Sequence, residues 1–181
     1  MGKFFVGIIV ISAILAGGGI YYLQVYAYYE PVTISDNPSN RWETQIQLTL
    51  QETDLPEPIP VDNFEGIDAD SSPLRFRACF TTGQSWETLS ETYVRYDDPV
   101  PLIGPSWFEC FDAKEIGPDL ENGLALAFLS KENITYGIDR IIAVYDDGRA
   151  FAWHQINACG EVVFNGEPVP EGCPKPPERS Y

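Results

Sequence analysis

His154 is the single histidine of this 181-residue chain, and so the one side chain whose ordinary pKa lies near neutrality. A nucleophile–base pair or a zinc site would have to be built around it, or do without it. It sits between Trp153 and Gln155 in a strand-like run, and no serine occupies a Gly-x-Ser-x-Gly turn. The plain role for such a residue is a core or sheet-face histidine; general base or metal ligand is the sharper one. Asp68 and Asp70, with Asp62 and Glu65 nearby, could offer loop carboxylates to a hard cation such as calcium. Their spacing does not follow the EF-hand loop, so a solvated acidic loop is the default. The 27 Asp and Glu also offer many carboxylate pairs of the kind glycoside hydrolysis uses, but their separations are set by the fold. No glycine-rich phosphate-cradling loop is present. No catalytic residue, metal ligand or cofactor is therefore assigned, and His154, Asp68 and Asp70 stand as the candidates.

Four cysteines remain: Cys79, Cys110, Cys159 and Cys173. Arg75 and Arg77 would share a strand face with Cys79, and cations lower a thiol pKa. No partner base accompanies that thiol, and no Cys-x-x-Cys pair occurs. An even count in an oxidising compartment reads as two disulfides. Of the three possible pairings the local ones are expected, Cys79–Cys110 and Cys159–Cys173. The second closes a loop of about 15 residues, which stabilises by about 3 kcal/mol in the chain-entropy picture.

The compartment is set by the stretch from Phe4 to Tyr29, which carries no charged residue. As a helix it would be about 39 Å long, against a hydrocarbon core of about 30 Å. Its last third is rich in tyrosine, which prefers the membrane interface. Tyr22, Tyr26 and Tyr29 fall on one helical stripe. Lys3 and the α-amino group precede the span, whereas Glu30 and Asp36 follow it. The positive-inside rule then places residues 1–3 in the cytoplasm and the rest outside. Hydrophobicity continues well past Ala16-Gly17-Gly18, which favours an uncleaved signal anchor over a cleaved signal peptide. Ser12, Ala13, Ala16 and Gly17 give small-xxx-small spacing, suited to helix packing or simply tolerated in a membrane helix. No ionisable residue in the span suggests an ion path.

Beyond the span lie about 150 residues, enough for one domain with a real core. All 27 Asp and Glu fall there, against ten of the 11 Lys and Arg. A nucleic-acid partner needs concentrated positive charge, and none is expected.

Residues 30–40, with Pro31 and Asn37-Pro38, read as a stem. Trp42 to Gln51 alternates apolar and polar, as a half-buried antiparallel strand does. Residues 54–73 carry four prolines and read as a long loop. Leu74 to Thr81 alternates again. Trp86, Leu89 and Tyr93 suggest a short helix from Ser85. Trp107 to Phe111 reads as a short strand. Asp112 to Glu115 has capping-box spacing, with Gly117-Pro118 interrupting the helix it starts; a second helix from Pro118 to about Lys131 is expected. Ile138 to Tyr145 and Arg149 to Ile156 flank Asp146-Asp147-Gly148, a hairpin signal. A two-residue Asp147-Gly148 loop would set Val144 opposite Phe151 and Ile142 opposite Trp153. Both hairpin faces are largely apolar, so the hairpin should be central and covered on both sides. Val162 to Phe164 runs into a turn at Asn165-Gly166, and residues 174–181 read as a loose tail.

The segments Arg75–Phe80, Phe108–Asp112 and Gly137–Asn157 carry a resemblance. The chain resembles an uncharacterised family, a domain of unknown function, of single-span envelope proteins from alphaproteobacteria. The resemblance implies placement at the membrane and brings no activity with it. The chain lacks the room and motifs for a kinase catalytic domain. It also lacks the adjacent cysteine pair of copper-chaperone assembly factors, whose layout of one span and an outer β-domain it shares.

The expected fold is α+β: a transmembrane helix over residues 4–29, a stem over 30–40, and an outer domain over 41–173. That domain would hold an antiparallel sheet with two or three short helices. The expected protein is a single-pass protein of the bacterial inner membrane, its domain periplasmic. A non-catalytic binding or assembly module with a membrane or envelope protein partner is the first reading. A carboxylate- or His154-based hydrolase is the alternative, and a ligand-sensing domain acting through a partner is the third.

Overall fold

In the computed structural model, which describes residues 2–177, the chain opens with helix α1, Gly2–Tyr22. The helix runs on through a π-helical turn, Leu23–Ala27, giving 26 largely apolar residues with none buried. A helix satisfies its own backbone groups, the requirement for any segment crossing lipid. At about 39 Å it is long enough to cross a hydrocarbon core of roughly 30 Å.

The strands that follow are β1 (Glu30–Ile34), β2 (Glu43–Thr44), β3 (Gln47–Thr49), β4 (Pro56–Pro58), β5 (Asp62–Asp68) and β6 (Arg77–Thr81). After them come helices α2 (Trp86–Thr92) and α3 (Ala113–Glu121), strands β7 (Ala125–Thr135), β8 (Ile138–Tyr145) and β9 (Arg149–Ile156), and helix α4 (Ala158–Phe164). Seven strands form one sheet in the order β2-β1-β5-β6-β9-β8-β7. Every pairing in it is antiparallel except β1 with β2. Strands β3 and β4 form a separate two-stranded ribbon. The domain is thus α+β with three short helices.

The hairpin β8–β9 has the expected strand limits, but its register differs by one residue. Ile142 faces Ala152 and Ile141 faces Trp153. The loop holds three residues, because Gly148 N donates to Tyr145 O at 3.0 Å and Gly148 takes φ +87°. This is a turn closed by a left-handed glycine, which a two-residue reading misses. A side chain there would also meet Thr82 O at 2.7 Å. Since strand side chains alternate, the shift moves Phe151 and Trp153 to the face of Ile141, Ala143 and Tyr145. Ala150 and Ala152 join Ile142 and Val144 on the other face.

Both faces are covered. On one, Phe76, Phe80 and Phe128 pack with Ile46 and Leu48 of the ribbon layer and with Leu89 and Tyr93. On the other, Trp153 and Phe151 pack under Phe108, Phe111 and Ile116. Each such aromatic or aliphatic side chain contributes about 1.5–3 kcal/mol by leaving water.

Several elements depart from the sequence reading. Residues 30–34 are no stem: β1 pairs with β5 through Glu30–Asp68, Pro31–Ile67 and Val32–Gly66, so the sheet begins at once after the anchor. Only Val32 of the strand is buried, which is why it reads as a linker. The alternation from Trp42 to Gln51 does put Thr44, Ile46 and Leu48 inside, yet the run divides between β2 and β3. The proline-rich stretch 54–73 contains β4 and β5. The second alternating strand starts at Arg77, three residues later than its pattern. Phe108 N bonds Pro105 O at 3.0 Å in a turn, and no strand forms over 107–111.

Helix α3 passes through Gly117-Pro118 and stops at Asn122, where Gly123 takes φ +72°. The side chain of Asp112 caps it by accepting from Lys114 N at 2.8 Å. Buried Ile116 holds it on the sheet, so tertiary contact outweighs the bond Pro118 removes. The expected second helix is strand β7. Its Ala125 and Ala127 face one core cluster while Leu126 and Phe128 face the other. A strand buried on both faces gives apolar residues at spacings a helix also gives.

Two disulfides tie the covering segments down: Cys79 in β6 to Cys110, and Cys159 in α4 to Cys173. Asn157 caps α4 by accepting from Gly160 N at 2.9 Å. Residues 174–177 follow, with Tyr136 Oη donating to Pro174 O at 3.0 Å; the remainder of the expected tail, 178–181, lies outside the described residues.

Helix α4 packs backbone to backbone on the β7–β8 turn. A Cβ on Gly160 would collide with the carbonyl of Gly137, and one on Gly137 would meet Gly160 Cα at 2.5 Å. Gly160→Ala should therefore destabilise the domain by about 1–3 kcal/mol, the cost of overpacking a fitted contact. Chemical denaturation measures this, and an unchanged midpoint would contradict the packing described.

Candidate functional site

His154 lies on β9 directly opposite Arg140 of β8 and is only 3% exposed. Its Nδ1 is 2.7 Å from Pro73 O, a carbonyl, which assigns the proton to Nδ1. Its Nε2 then accepts from Arg140 Nε at 3.0 Å. Arg140 Nη1 donates onward to Thr44 Oγ1 at 2.7 Å. Phe76 completes the stack, with the imidazole 4.8 Å from its ring and the guanidinium 4.1 Å above it. Burial, and next the charge of Arg140, push the His154 pKa down to about 3. Burial also lowers the Arg140 guanidinium, to about 10, against the pull of Asp68. The imidazole is thus a neutral acceptor that helps seat a cation inside the fold. With both nitrogens engaged it has no lone pair free for general-base work.

Asp68 and Asp70 come together, but around an arginine. Arg41 Nη2 lies 3.7 Å from Asp68 and Nη1 lies 3.2 Å from Asp70, while Nη2 also donates to Ala69 O at 2.9 Å. Burial raises the Asp68 carboxyl, and the Ala69 N–H and Arg41 draw it back. Asp62 and Glu65 extend along β5, so these acids never converge as a cation loop. Among the described residues no group of three or more His, Cys, Asp or Glu is placed to hold a metal ion.

Two polar centres escaped the sequence reading. The first is Asp139, 5% exposed on β8. Its carboxylate accepts from Asn133 N at 2.9 Å, Asn157 Nδ2 at 2.8 Å and Tyr96 Oη at 3.3 Å. Burial, then the Asp139 charge, raises the Tyr96 hydroxyl. This network ties the β7–β8 turn to the start of α4. A carboxylate inside an apolar strand between Ile138 and Arg140 was its one visible signal.

The second centre is where the anchor meets the domain. The last carbonyls of a helix lack intrahelical partners, and here the domain supplies them. Trp107 Nε1 donates to Val25 O at 2.6 Å and Arg75 Nη1 to Gln24 O at 3.2 Å. The indole of Trp107 also stacks at 6.3 Å from Tyr26 and meets Tyr29 edge-on at 5.8 Å. Arg75 lies 5.4 Å over the Tyr29 ring. Behind it Arg77, 3% exposed, donates from Nε to Leu102 O at 2.7 Å and from Nη1 to Leu74 O at 2.8 Å and Phe76 O at 2.6 Å. Burial lowers its guanidinium to about 10. Of the ion pairs among the described residues, none involves Arg75 or Arg77. These groups border a cleft of about 530 Å³ between Tyr21, Gln24 and Tyr29 on one side and residues 102–106 on the other. The sequence marked Arg75 and Arg77 only as neighbours of Cys79, because Gln24, Leu102 and Ile103, whose carbonyls they reach, are remote in the chain.

What this geometry offers is a long apolar helix docked on the domain and a cationic cleft at its end, while His154, Arg140 and Asp139 are turned inward. The chain belongs to a family of unknown function, DUF6446, which it matches over residues 46–174. Comparison with curated proteins found no match, nor did comparison with solved structures.

The inward role of His154 fixes its acid behaviour. Below pH 6.5 the unfolded chain protonates this imidazole, whereas the native state, with a pKa of about 3, does not. Stability from this group is therefore whole above pH 6.5, falls as the pH drops, and levels off below about 3. At about 1.4 kcal/mol per pH unit, roughly 2 kcal/mol goes between pH 6.5 and 5. Because the chain has one histidine, NMR of a histidine-labelled sample reads it directly. The signal should keep its neutral Nδ1–H form down to pH 4; titration between 6 and 7 would contradict the assigned contacts.

Proposed function

We propose that the chain is a single-pass protein of the bacterial inner membrane, its N-terminus cytoplasmic and its domain periplasmic, acting as a non-catalytic binding or assembly module. The observation that carries this reading is the docking of the domain on the end of its own anchor. Arg75 and Trp107 take the carbonyls of Gln24 and Val25, so the domain faces its surroundings at a fixed height and orientation. A free-standing enzyme has no need of that constraint; a module that must meet a membrane neighbour does. The two disulfides support an oxidising compartment for the domain. Lys3 on the N-terminal side and the acidic domain on the other support the orientation. A His154-based hydrolase draws no support from an imidazole already engaged at both nitrogens.

A second reading, ligand sensing through a partner, is favoured by the cleft at the junction. At about 530 Å³ it falls in the range of small-molecule sites, about 300–1,000 Å³.

The placement is tested by fusing a periplasm-dependent and a cytoplasm-dependent reporter to the C-terminus of the full chain. Activity of the first alone, in a protein retaining residues 1–29, is the expected result. Activity of the second alone, or a mature chain starting after the anchor, would overturn it. The binding role is tested by capture in mild detergent with a photo-crosslinker at exposed Ile103, where a defined cross-linked species is expected.

A further inference from the structure

We propose that the cleft between the anchor and the domain binds the phosphate group of an anionic phosphate ester, with Arg75 and Arg77 supplying the charge. The inference rests on the membrane-anchored reading and goes beyond it by naming a ligand chemistry.

Position is the first argument. One wall of the cleft is the anchor itself, at Tyr21, Gln24 and Tyr29. A helix of about 39 Å is long enough to cross a core of about 30 Å and still reach the depth of the lipid headgroups with its last turns. Tyrosines at that point suit the same depth.

Charge is the second. The chain has a formal net charge of −16, yet the residues bordering this cleft include two arginines and no carboxylate. A local cationic concavity in so acidic a protein is not a consequence of composition.

The state of the two guanidinium groups is the third. Arg77 donates four of its five N–H groups to backbone carbonyls, which hold it without neutralising its charge. Among the described residues the Arg75 guanidinium makes one hydrogen bond, to Gln24 O, and keeps its other donors. A buried cation lacking a counter-ion is costly, and a planar guanidinium presents paired N–H groups to phosphate oxygens. Ser106 adds a hydroxyl to the same cleft. A bound phosphate would supply the missing negative charge.

A merely architectural Arg75, capping the helix end, is the competing explanation, and it does not require charge. Arg75→Gln keeps an N–H donor for the Gln24 carbonyl and removes the charge; Arg75→Lys keeps the charge. The full chain is reconstituted in nanodiscs of phosphatidylcholine alone or with phosphatidylglycerol, and retained lipid is counted by native mass spectrometry. A third arm adds inorganic phosphate to the phosphatidylcholine discs and follows it by phosphorus NMR. Wild type should retain phosphatidylglycerol, Arg75→Lys most of it, and Arg75→Gln on the order of tenfold less, as loss of a charge-assisted contact gives. Phosphate binding in the third arm without lipid retention supports the same site with a soluble ester as its ligand. Equal retention by wild type and Arg75→Gln, or none in any arm, overturns the proposal. Carbonate extraction of native membranes separates the two failures. A chain released by carbonate overturns the anchored reading, whereas one that stays and binds nothing overturns the phosphate site alone.

Discussion

The structure depends on one constraint: the hairpin β8–β9 is apolar on both faces, and neither face can be left to water. One face is closed by the β3–β4 ribbon layer and α2, the other by α3 and the segment around Phe108 and Phe111. That second cover has no regular structure of its own over residues 102–111. It is held by other means. Cys110 is bonded to Cys79 on β6, and Arg77 gathers the carbonyls of Leu102 and Ile103. Once pinned, the same segment presents Trp107 to the end of the long apolar helix. Closing the core and docking the anchor are therefore a single piece of architecture.

A second regularity is how the domain treats its buried cations. Arg77 is held by carbonyls and Arg140 by an imidazole, a hydroxyl and an aromatic face, although 27 carboxylates were available in the chain. Buried ion pairs seldom add stability over apolar packing, but hydrogen bonds to a buried guanidinium fix one arrangement of the strands that carry them. His154 belongs to this class. Its place at the β8–β9 register joins Pro73, Arg140 and Thr44, which lie on three separate parts of the chain. Asp139 does the same for the β7–β8 turn and α4, through Asn133 and Asn157.

Much of the fold was legible because it is written locally. The uncharged run, the hairpin strands, the Ser85 and Asp112 caps and the alternation at Ile46 and Leu48 all need only neighbours in sequence to be read. The readings that failed are those where distant contacts decide. Residues 125–131 form a strand because two core clusters claim its two faces, which its helical spacing conceals. Strand β1 exists because β5 lies beside it, not because Pro31 favours it. The hairpin register turned on one glycine taking a left-handed φ under Thr82. At the candidate site the limit was sharper still. His154, Asp68 and Asp70 were visible as residue types, but their partners Arg140 and Arg41 lie across the fold. The cleft unites positions near 24, 76 and 104, and no local pattern joins them.

The central claim is that the domain is held rigidly on its anchor by the Trp107 and Arg75 contacts. The most direct measurement is an electron–electron distance between spin labels on Tyr22→Cys, at the exposed end of α1, and Leu124→Cys, exposed before β7. The native cysteines are disulfide-bonded and take no label. In lipid nanodiscs a single narrow distance distribution is expected, broadening when Trp107 is replaced by alanine. A broad distribution in the otherwise wild-type chain would show a domain swinging free of its helix, and would contradict the account.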